Sequence, residues 1–193
     1  MRTLLVALLL ANLTACATSE APAYYALLLP QTEAPARQVT QGPRLIVDRV
    51  TLPEYLNDLG IAFQLDDVQI VTANQARWAE SLDKQLTRSL IQGLSQHLQQ
   101  VQVLEGPDMV SEAWHLSLEV SGFQGRYDGQ AIVAGRWLLK RGDQTFSEAF
   151  QHKVALSDEG YPALVRALRQ GWQQEVVSLA GQLQTAIVQP VVE

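Results

Sequence analysis

Two long stretches of the sequence carry apolar residues at helical spacing, and this periodicity constrains the fold more than any other feature. In the first stretch, leucine recurs at every fourth position over residues 82–98. In the second, apolar side chains recur at steps of three or four over residues 164–187. Such spacing places side chains on one face of an α-helix. The pattern therefore predicts two long amphipathic helices, the first of which extends from Trp78 to about Gln100.

The second predicted helix has recognisable ends. Asp158 suits its N-terminal cap, and Pro162 falls in its first turn, where a missing N–H costs nothing. Pro190 would end the helix because proline cannot continue it. Gly171 and Gly181 each weaken a helix by up to about 1 kcal/mol relative to alanine. The stability of this helix must therefore come from packing.

Between the two helices the hydrophobic period falls to two, which is typical of β-strands. Residues 114–121 alternate between apolar and polar side chains, residues 131–140 are apolar on both faces, and residues 145–156 return after a turn. Asp128–Gly129 is a strong signal for a two-residue hairpin turn. The three segments predict an antiparallel meander whose middle strand is central in the sheet.

Shorter β segments flank the first helix. Residues 24–30 and 44–53 predict one strand each, and residues 61–73 predict two strands around an Asp66–Asp67 turn. A short strand is expected at residues 101–105, directly after the helix. The fold class is therefore α+β, an α/β sandwich in which a mixed, largely antiparallel sheet is covered by two long amphipathic helices.

The chain begins with a segment of the export type. Arg2 supplies a positive start, and residues 4–11 form an unbroken apolar run. A membrane-spanning helix needs about 20 apolar residues, so this run is too short to cross a bilayer. It fits the apolar core of a secretory signal peptide instead. We therefore expect residues 1–15 to be removed during export.

Cys16 is the only cysteine of the chain and directly follows this segment. The residues before it, Leu13-Thr14-Ala15, resemble the lipobox of bacterial lipoproteins. That resemblance implies that the Cys16 thiol receives diacylglycerol and that the mature chain begins there, with the covalent lipid as its one attached group and no other cofactor. The alternative is a free or buried thiol. A lone cysteine excludes an internal disulfide and a cysteine-rich metal site.

The residue after the cysteine bears on localisation. In lipoprotein sorting, an aspartate at this position signals retention in the inner membrane, so Ala17 implies the outer membrane, with the domain facing the periplasm. Residues 16–23 then form the lipidated N-terminus and a short tether, and the seven residues after Cys16 span at most about 25 Å when extended. Residues 24–193 are expected to form a single domain held close to the leaflet.

The mature chain is acidic. Lysine and arginine number 14 in the whole chain and 13 without Arg2, against 20 aspartates and glutamates, so the formal charge is −7. Nucleic-acid binding depends on basic surface patches, so an acidic domain is a poor candidate for it. Attraction to anionic lipid headgroups is disfavoured for the same reason. We expect no nucleic-acid partner and expect the lipid to supply the membrane attachment.

No catalytic or metal-binding constellation stands out. The three histidines, His97, His115 and His152, lack metal-ligand spacing, and no serine lies in a nucleophile-elbow sequence. The Asp66–Asp67 pair is better explained by a turn than by a pair of catalytic carboxylates. The sequence therefore argues against an enzyme and predicts no metal site.

Aromatic residues are the candidate contact sites. The expected role of the four tryptophans is core packing, with a groove facing lipid or a partner as the alternative; they are Trp78, Trp114, Trp137 and Trp172. Arg126–Tyr127, beside the predicted hairpin turn, has the composition of a pair that stacks on a partner protein, and an ordinary loop tip is the alternative. These two residues are the candidate partner-binding site.

Several stretches together resemble the ABC-type transport auxiliary lipoprotein family, and within it the members that serve the paraquat-inducible (Pqi) transport system. They follow a lipobox and occur in order along nearly the whole mature chain. The stretches are YYALL, RVTLPEYL, RWAESLDKQLTRSLIQGL, FQGRYDGQAIVAGRWLL and GYPALVRALRQGWQQEVVSLA.

The resemblance implies a docking role. Members of this family partner MCE-domain proteins, which build tunnels across the periplasm in systems that move lipids between membranes and maintain envelope integrity. It therefore implies an auxiliary or docking subunit for an MCE-domain protein of the Pqi system, compatible with a homo-oligomeric ring around a symmetric tunnel. No catalytic residue is carried over. A lipid-binding carrier with its own apolar pocket is the first alternative, and a periplasmic enzyme is the second.

Overall fold

The computed structural model describes residues 21–27, 42–106 and 112–188. The predicted signal peptide, the lipidation residue Cys16 and the sorting residue Ala17 lie outside these ranges, as do most of the loop after the first strand and the segment containing Pro190. Expectations about those residues therefore stay predictions.

The described residues form strands and helices in one order along the chain. The elements are β1 (Ala23–Tyr25), β2 (Arg44–Val47), a 3₁₀ helix (Glu54–Leu56), β3 (Gly60–Gln64), β4 (Ile70–Trp78), α1 (Leu82–His97), β5 (Gln102–Glu105), β6 (Trp114–Arg126), β7 (Gln130–Arg141), β8 (Gln144–Ala155) and α2 (Tyr161–Val188). All eight of these strands belong to one sheet.

The predicted meander is confirmed as β6, β7 and β8, which pair antiparallel with β7 in the centre. Its first turn differs from the two-residue prediction. Arg126 pairs with Gln130, so the loop has three residues, and the Gly129 N–H donates to the Arg126 carbonyl at 3.0 Å. Gly129 has φ +75° whereas Asp128 does not reach positive φ, because a tight turn followed by one left-handed glycine already reverses the chain.

The other edge of β6 is shared by two groups of strands. Near its start, β6 pairs parallel with β2, which pairs parallel with β5. Near its end, β6 pairs parallel with β3, which forms the predicted hairpin with β4, and β1 adds to β4. The strand predicted over residues 44–53 ends at Val47 and touches β6 once more, where Thr51 bridges Glu119. The sheet is mixed, as predicted.

Both helices cover one face of the sheet and pack on each other. The two predicted stripes are confirmed, since each of their apolar members is buried. α2 lies across β6, β7 and β8, and α1 packs against α2 and β5. The helices approach closely at Gly93, where a β-carbon would meet the side chain of Val176. The predicted α+β class, with a sheet covered by two long helices, is confirmed.

The start of α1 was predicted too early. Trp78 ends β4, where it lies opposite Tyr25 and its N–H donates to the Leu59 carbonyl at 2.6 Å. The helix begins only at Leu82, after Ser81. Strand pairing on both sides of Trp78 outweighs the helical spacing, which cannot by itself mark where a helix starts.

The predicted cap of α2 is also wrong. The Asp158 carboxylate accepts the N–H of Glu159 at 2.8 Å, two residues before the helix. Gly160 holds the capping position, since its carbonyl accepts the Leu164 N–H at 3.1 Å. Its φ of +89° is a conformation that glycine adopts without a steric cost, and it turns the chain into the helix.

Candidate functional site

Two turns that are far apart in sequence lie side by side at one end of the sheet. Phe63 is opposite Gly125 and Gln64 is opposite Arg126 in the parallel β3–β6 pairing. The β3–β4 turn (residues 65–69) therefore lies next to the β6–β7 turn (residues 127–129). We call this region the hairpin end and include in it residues 65–71 and 126–129.

The two residues of the predicted partner-binding pair have different surroundings in the structure. Tyr127 is 57% exposed at the tip of its turn. Arg126 is only partly exposed, and its guanidinium donates two hydrogen bonds to the Asp128 carboxylate, one of them at 2.8 Å from Nε. This contact holds the pKa of Asp128 below its usual value and raises that of Arg126. Tyr127 is thus available to a partner, while Arg126 is engaged within its own loop.

The β3–β4 turn adds apolar surface that sequence reasoning missed. Val68 is 87% exposed, and Leu65, Ile70 and Val71 are between 37% and 45% exposed. The sequence signal was the presence of apolar residues on both sides of the Asp66–Asp67 turn, where turns are usually polar.

The Asp66–Asp67 turn itself is confirmed. The Asp66 carboxylate accepts the N–H groups of Val68 and Gln69 at 2.9 and 2.7 Å. This is the local bonding by which aspartate stabilises turns. The Asp66 carboxylate is therefore engaged within its own turn.

The expectation of core packing is confirmed for the four tryptophans, whose exposures are between 1% and 6%. Trp172 packs between the helices and donates from Nε1 to Ser89 Oγ at 2.7 Å. Trp114 lies beneath the Arg141 guanidinium, 5.5 Å from the ring centre, and beside Phe146. Of the four, Trp137 also lines a small polar cleft between β8 and α2.

A polar cleft between β8 and α2 is a second candidate site. His152 Nε2 lies 2.8 Å from Glu175 Oε2, and the Glu175 side chain is only 4% exposed. Burial raises the pKa of Glu175, and the His152 contact partly opposes that rise. Nearby, the Gln182 amide donates to Glu148 at 2.8 Å. Sequence reasoning missed Glu175, although it lies on the α2 stripe, three residues after Trp172.

The cleft is small and largely polar. Its volume is about 230 Å³, below the roughly 300–1,000 Å³ of most small-molecule sites, and polar groups line much of it. His97 is exposed at the end of α1, and His115 lies opposite Lys140, so neither joins His152. Among the residues that the structure describes, no three histidine, cysteine, aspartate or glutamate side chains are grouped to hold a metal ion.

Across residues 21–27, 42–106 and 112–188, none of the helices combines the length and the apolar composition needed to cross a bilayer.

The sequence matches known proteins over most of its length. The family model of the ABC-type transport auxiliary lipoprotein component matches residues 25–180. The intermembrane transport lipoprotein PqiC of Escherichia coli (strain K12) is 37% identical over 161 residues, which cover 83% of this chain and 85% of that protein. PqiC of Shigella flexneri matches to the same extent.

Solved structures show the same fold. One crystal structure of an uncharacterised protein is 34% identical and superposes with a TM-score of 0.76 over 85% of this chain and 99% of that one. A protein from Xanthomonas campestris, only 17% identical, superposes with a TM-score of 0.68 over the same shares and shows the fold alone. The matched family consists of transport components and not of enzymes, in agreement with the sequence-based expectation. This chain belongs to the family of ABC-type transport auxiliary lipoprotein components.

Proposed function

We propose that this chain is the lipid-anchored docking subunit of an intermembrane transport system of the Pqi type. Its partner is an MCE-domain protein whose far end it holds at the outer membrane, on the periplasmic side. The observation that carries the proposal is the 37% identity to an intermembrane transport lipoprotein, which extends over 83% of the chain and so includes nearly the whole folded domain.

The anchor in this proposal is the acylated Cys16. One acyl chain holds a protein only marginally on a membrane, whereas the diacylglycerol and amide-linked chains of a processed lipoprotein together hold it stably. Ala17 directs the protein to the outer membrane. The short tether keeps the acidic domain near the leaflet, where a partner that crosses the periplasm can reach it.

A ring of identical copies is part of the proposal. A tunnel with rotational symmetry presents several equivalent ends, and a ring of docking domains would match that symmetry. Native mass spectrometry of the detergent-extracted lipoprotein should show one closed oligomer. A monomer at all concentrations, with and without the MCE partner, would remove the ring from the proposal.

The alternative, a carrier with its own apolar pocket, gains no support from the β8–α2 cleft. Pockets that bind small molecules measure roughly 300–1,000 Å³ and are lined mainly by apolar side chains. The cleft, at about 230 Å³, is smaller and is lined by charged and amide groups as well as by Trp137 and Phe150. Docking therefore explains the domain better than carriage.

The test uses the full chain with a C-terminal tag in a Gram-negative host that lacks its own copy. Crosslinking in intact cells followed by purification should recover the MCE-domain protein, and mass analysis should show a triacylated N-terminus at Cys16. The variant Cys16→Ala should lose its attachment to the outer membrane and fail to restore envelope integrity.

The matched control is Ala17→Asp, which keeps the lipid but should redirect the protein to the inner membrane. This variant separates attachment from location. Full complementation by Cys16→Ala would remove the anchor from the proposal. Failure to recover any MCE-domain protein with the lipidated wild type would remove the docking role.

A further inference from the structure

We infer that the hairpin end rests on the same lipid leaflet that holds the anchor, so that its apolar side chains face the bilayer. The inference rests on the lipidation of Cys16 proposed above and adds an orientation to it. It assigns the contact of Tyr127 to lipid instead of to a protein partner.

The direction of the first strand is the first argument. β1 pairs parallel with the end of β4, with Ala23 opposite Ala76 and Tyr25 opposite Trp78. β4 itself begins at the hairpin end and runs away from it. The chain that precedes Ala23 therefore arrives from the side on which the hairpin end lies. A lipid at Cys16 would be on that side of the domain.

The reach of the tether is the second argument. Ala23 lies opposite Ala76, whose neighbour Arg77 lies opposite Gly60 of β3. Because Phe63 of β3 lies opposite Gly125 of β6, Gly60 is about level with Gly122 of β6. At about 3.3 Å per strand residue, Ala23 is roughly 20 Å from the hairpin end and about 30 Å from the β7–β8 turn at the opposite end. Seven extended residues span at most about 25 Å. Cys16 can therefore reach a leaflet at the hairpin end but not one at the opposite end.

The chemistry of the surface is the third argument. Nine large apolar side chains are exposed in the part of the chain that the structure describes, and five of them lie at the hairpin end. These five are Leu65, Val68, Ile70, Val71 and Tyr127. Tyrosine is enriched where proteins meet the membrane–water interface, because its ring is apolar and its hydroxyl is polar. Two neighbouring tips with such side chains suit shallow insertion among headgroups.

Charge defines the kind of lipid surface. The guanidinium of Arg126 is neutralised by Asp128, and the neighbouring turn adds Asp66 and Asp67. The hairpin end therefore carries net negative charge. Anionic headgroups repel such a surface, whereas zwitterionic headgroups are compatible with it. The leaflet expected against the hairpin end is therefore zwitterionic, and the contact is apolar with no electrostatic attraction.

The test exploits the single cysteine. In the lipidated chain Cys16 is acylated, so any introduced cysteine is the one free thiol and accepts an environment-sensitive fluorophore. The labelled variants are Val68→Cys and Tyr127→Cys at the hairpin end. The matched controls are Asp143→Cys in the β7–β8 turn and Val177→Cys, 53% exposed on α2. Each full-length lipoprotein is placed in phosphatidylcholine vesicles with or without brominated lipid.

We expect brominated lipid to quench the fluorophores at positions 68 and 127 several-fold more than those at positions 143 and 177, with blue-shifted emission. Equal quenching at all four positions would overturn the orientation. Shielding of positions 68 and 127 only after the MCE-domain protein is added would overturn it as well and would return this surface to a protein partner.

Flotation with the vesicles and the mass of the N-terminus are measured on the same samples. Loss of flotation reports a failure of the anchor and hence of the proposed function. Flotation with water-exposed labels reports a failure of the orientation alone.

Discussion

His152 of β8 and Glu175 of α2 join the outer strand of the meander to the long helix through one hydrogen bond of 2.8 Å. The histidine is partly exposed, whereas the carboxylate is almost entirely buried beneath it. A buried carboxylate is costly unless a partner compensates it. The pair therefore places a pH-sensitive contact between two elements that also share the Gln182–Glu148 hydrogen bond.

The first prediction concerns the pH dependence of stability at Glu175. Its pKa is raised in the folded state above the ordinary value of 4.5. The stabilisation linked to the protonated form is therefore complete below that value and is lost as the pH rises through the higher folded pKa. Glu175→Gln cannot ionise. The free energy of unfolding of the wild type, relative to this variant, should fall from acid to neutral pH in urea titrations. A constant difference across that range would contradict the assignment.

The second prediction concerns the partner of that carboxylate. His152→Ala leaves Glu175 buried without its hydrogen bond, so we expect a loss of about 1–3 kcal/mol at neutral pH. The loss should be smaller near pH 4.5, because Glu175 can then be protonated. His97→Ala is the control, since His97 is exposed and its removal should change stability by less than about 0.5 kcal/mol. Equal losses in the two variants would show that the pair contributes nothing specific.

The third prediction tests the contact between the helices. Ser89 Oγ accepts the Trp172 indole N–H at 2.7 Å in the core. Ser89→Ala leaves that N–H without its acceptor and should cost about 1–3 kcal/mol. In a Trp172→Phe background the same substitution should cost much less, because no indole N–H remains.

Ser95→Ala is the matched control on the same helix. Ser95 is exposed, and its hydroxyl donates to the Ile91 carbonyl of its own helix at 2.7 Å. Alanine is the better helix former, so this change should be neutral or stabilising by a few tenths of a kcal/mol. Chemical unfolding followed by tryptophan fluorescence measures all of these variants, and similar losses at positions 89 and 95 would refute the indole bond.

The fourth prediction compares two glycines. At Gly135 in β7 a β-carbon would meet the Glu119 carbonyl oxygen and approach Phe150 Cζ to 2.7 Å. Gly135→Ala should therefore cost about 1–3 kcal/mol through overpacking. At Gly181 in α2 a β-carbon meets nothing within 4 Å, so Gly181→Ala should stabilise by up to about 1 kcal/mol. Thermal unfolding of both variants measures the difference, and the same sign for both would contradict the packing at Gly135.

Periodicity predicted the elements better than their boundaries. The leucine stripe of α1 and the apolar face of α2 follow from spacing alone, because an amphipathic helix packs its apolar side against the core. The central place of β7 follows from its two apolar faces. The start of α1 did not follow, because the backbone of Trp78 is held by strand partners that the local pattern does not contain.

Tyr127 was a predicted contact residue, but the rest of the hairpin end and the His152–Glu175 pair escaped prediction for a common reason. His152 and Glu175 are 23 residues apart, and they meet only because α2 folds back across β8. Val68 and Tyr127 are brought to one end of the sheet by the parallel pairing of β3 with β6. Each residue carried a weak local signal, namely a glutamate in an apolar stripe or an apolar residue in a turn. Local signals of that kind do not identify a partner across the fold.

Residue type and spacing along the chain were enough to predict the two helical stripes and the β-meander, and they also set the acidic charge. The signal peptide and the lipidated Cys16 rest on the same kind of local pattern and stay predictions. The shared edge of β6, the buried His152–Glu175 pair and the exposed hairpin end became visible only in the folded chain. These depend on strand register and on helix packing, which arise from contacts between residues that are distant in sequence.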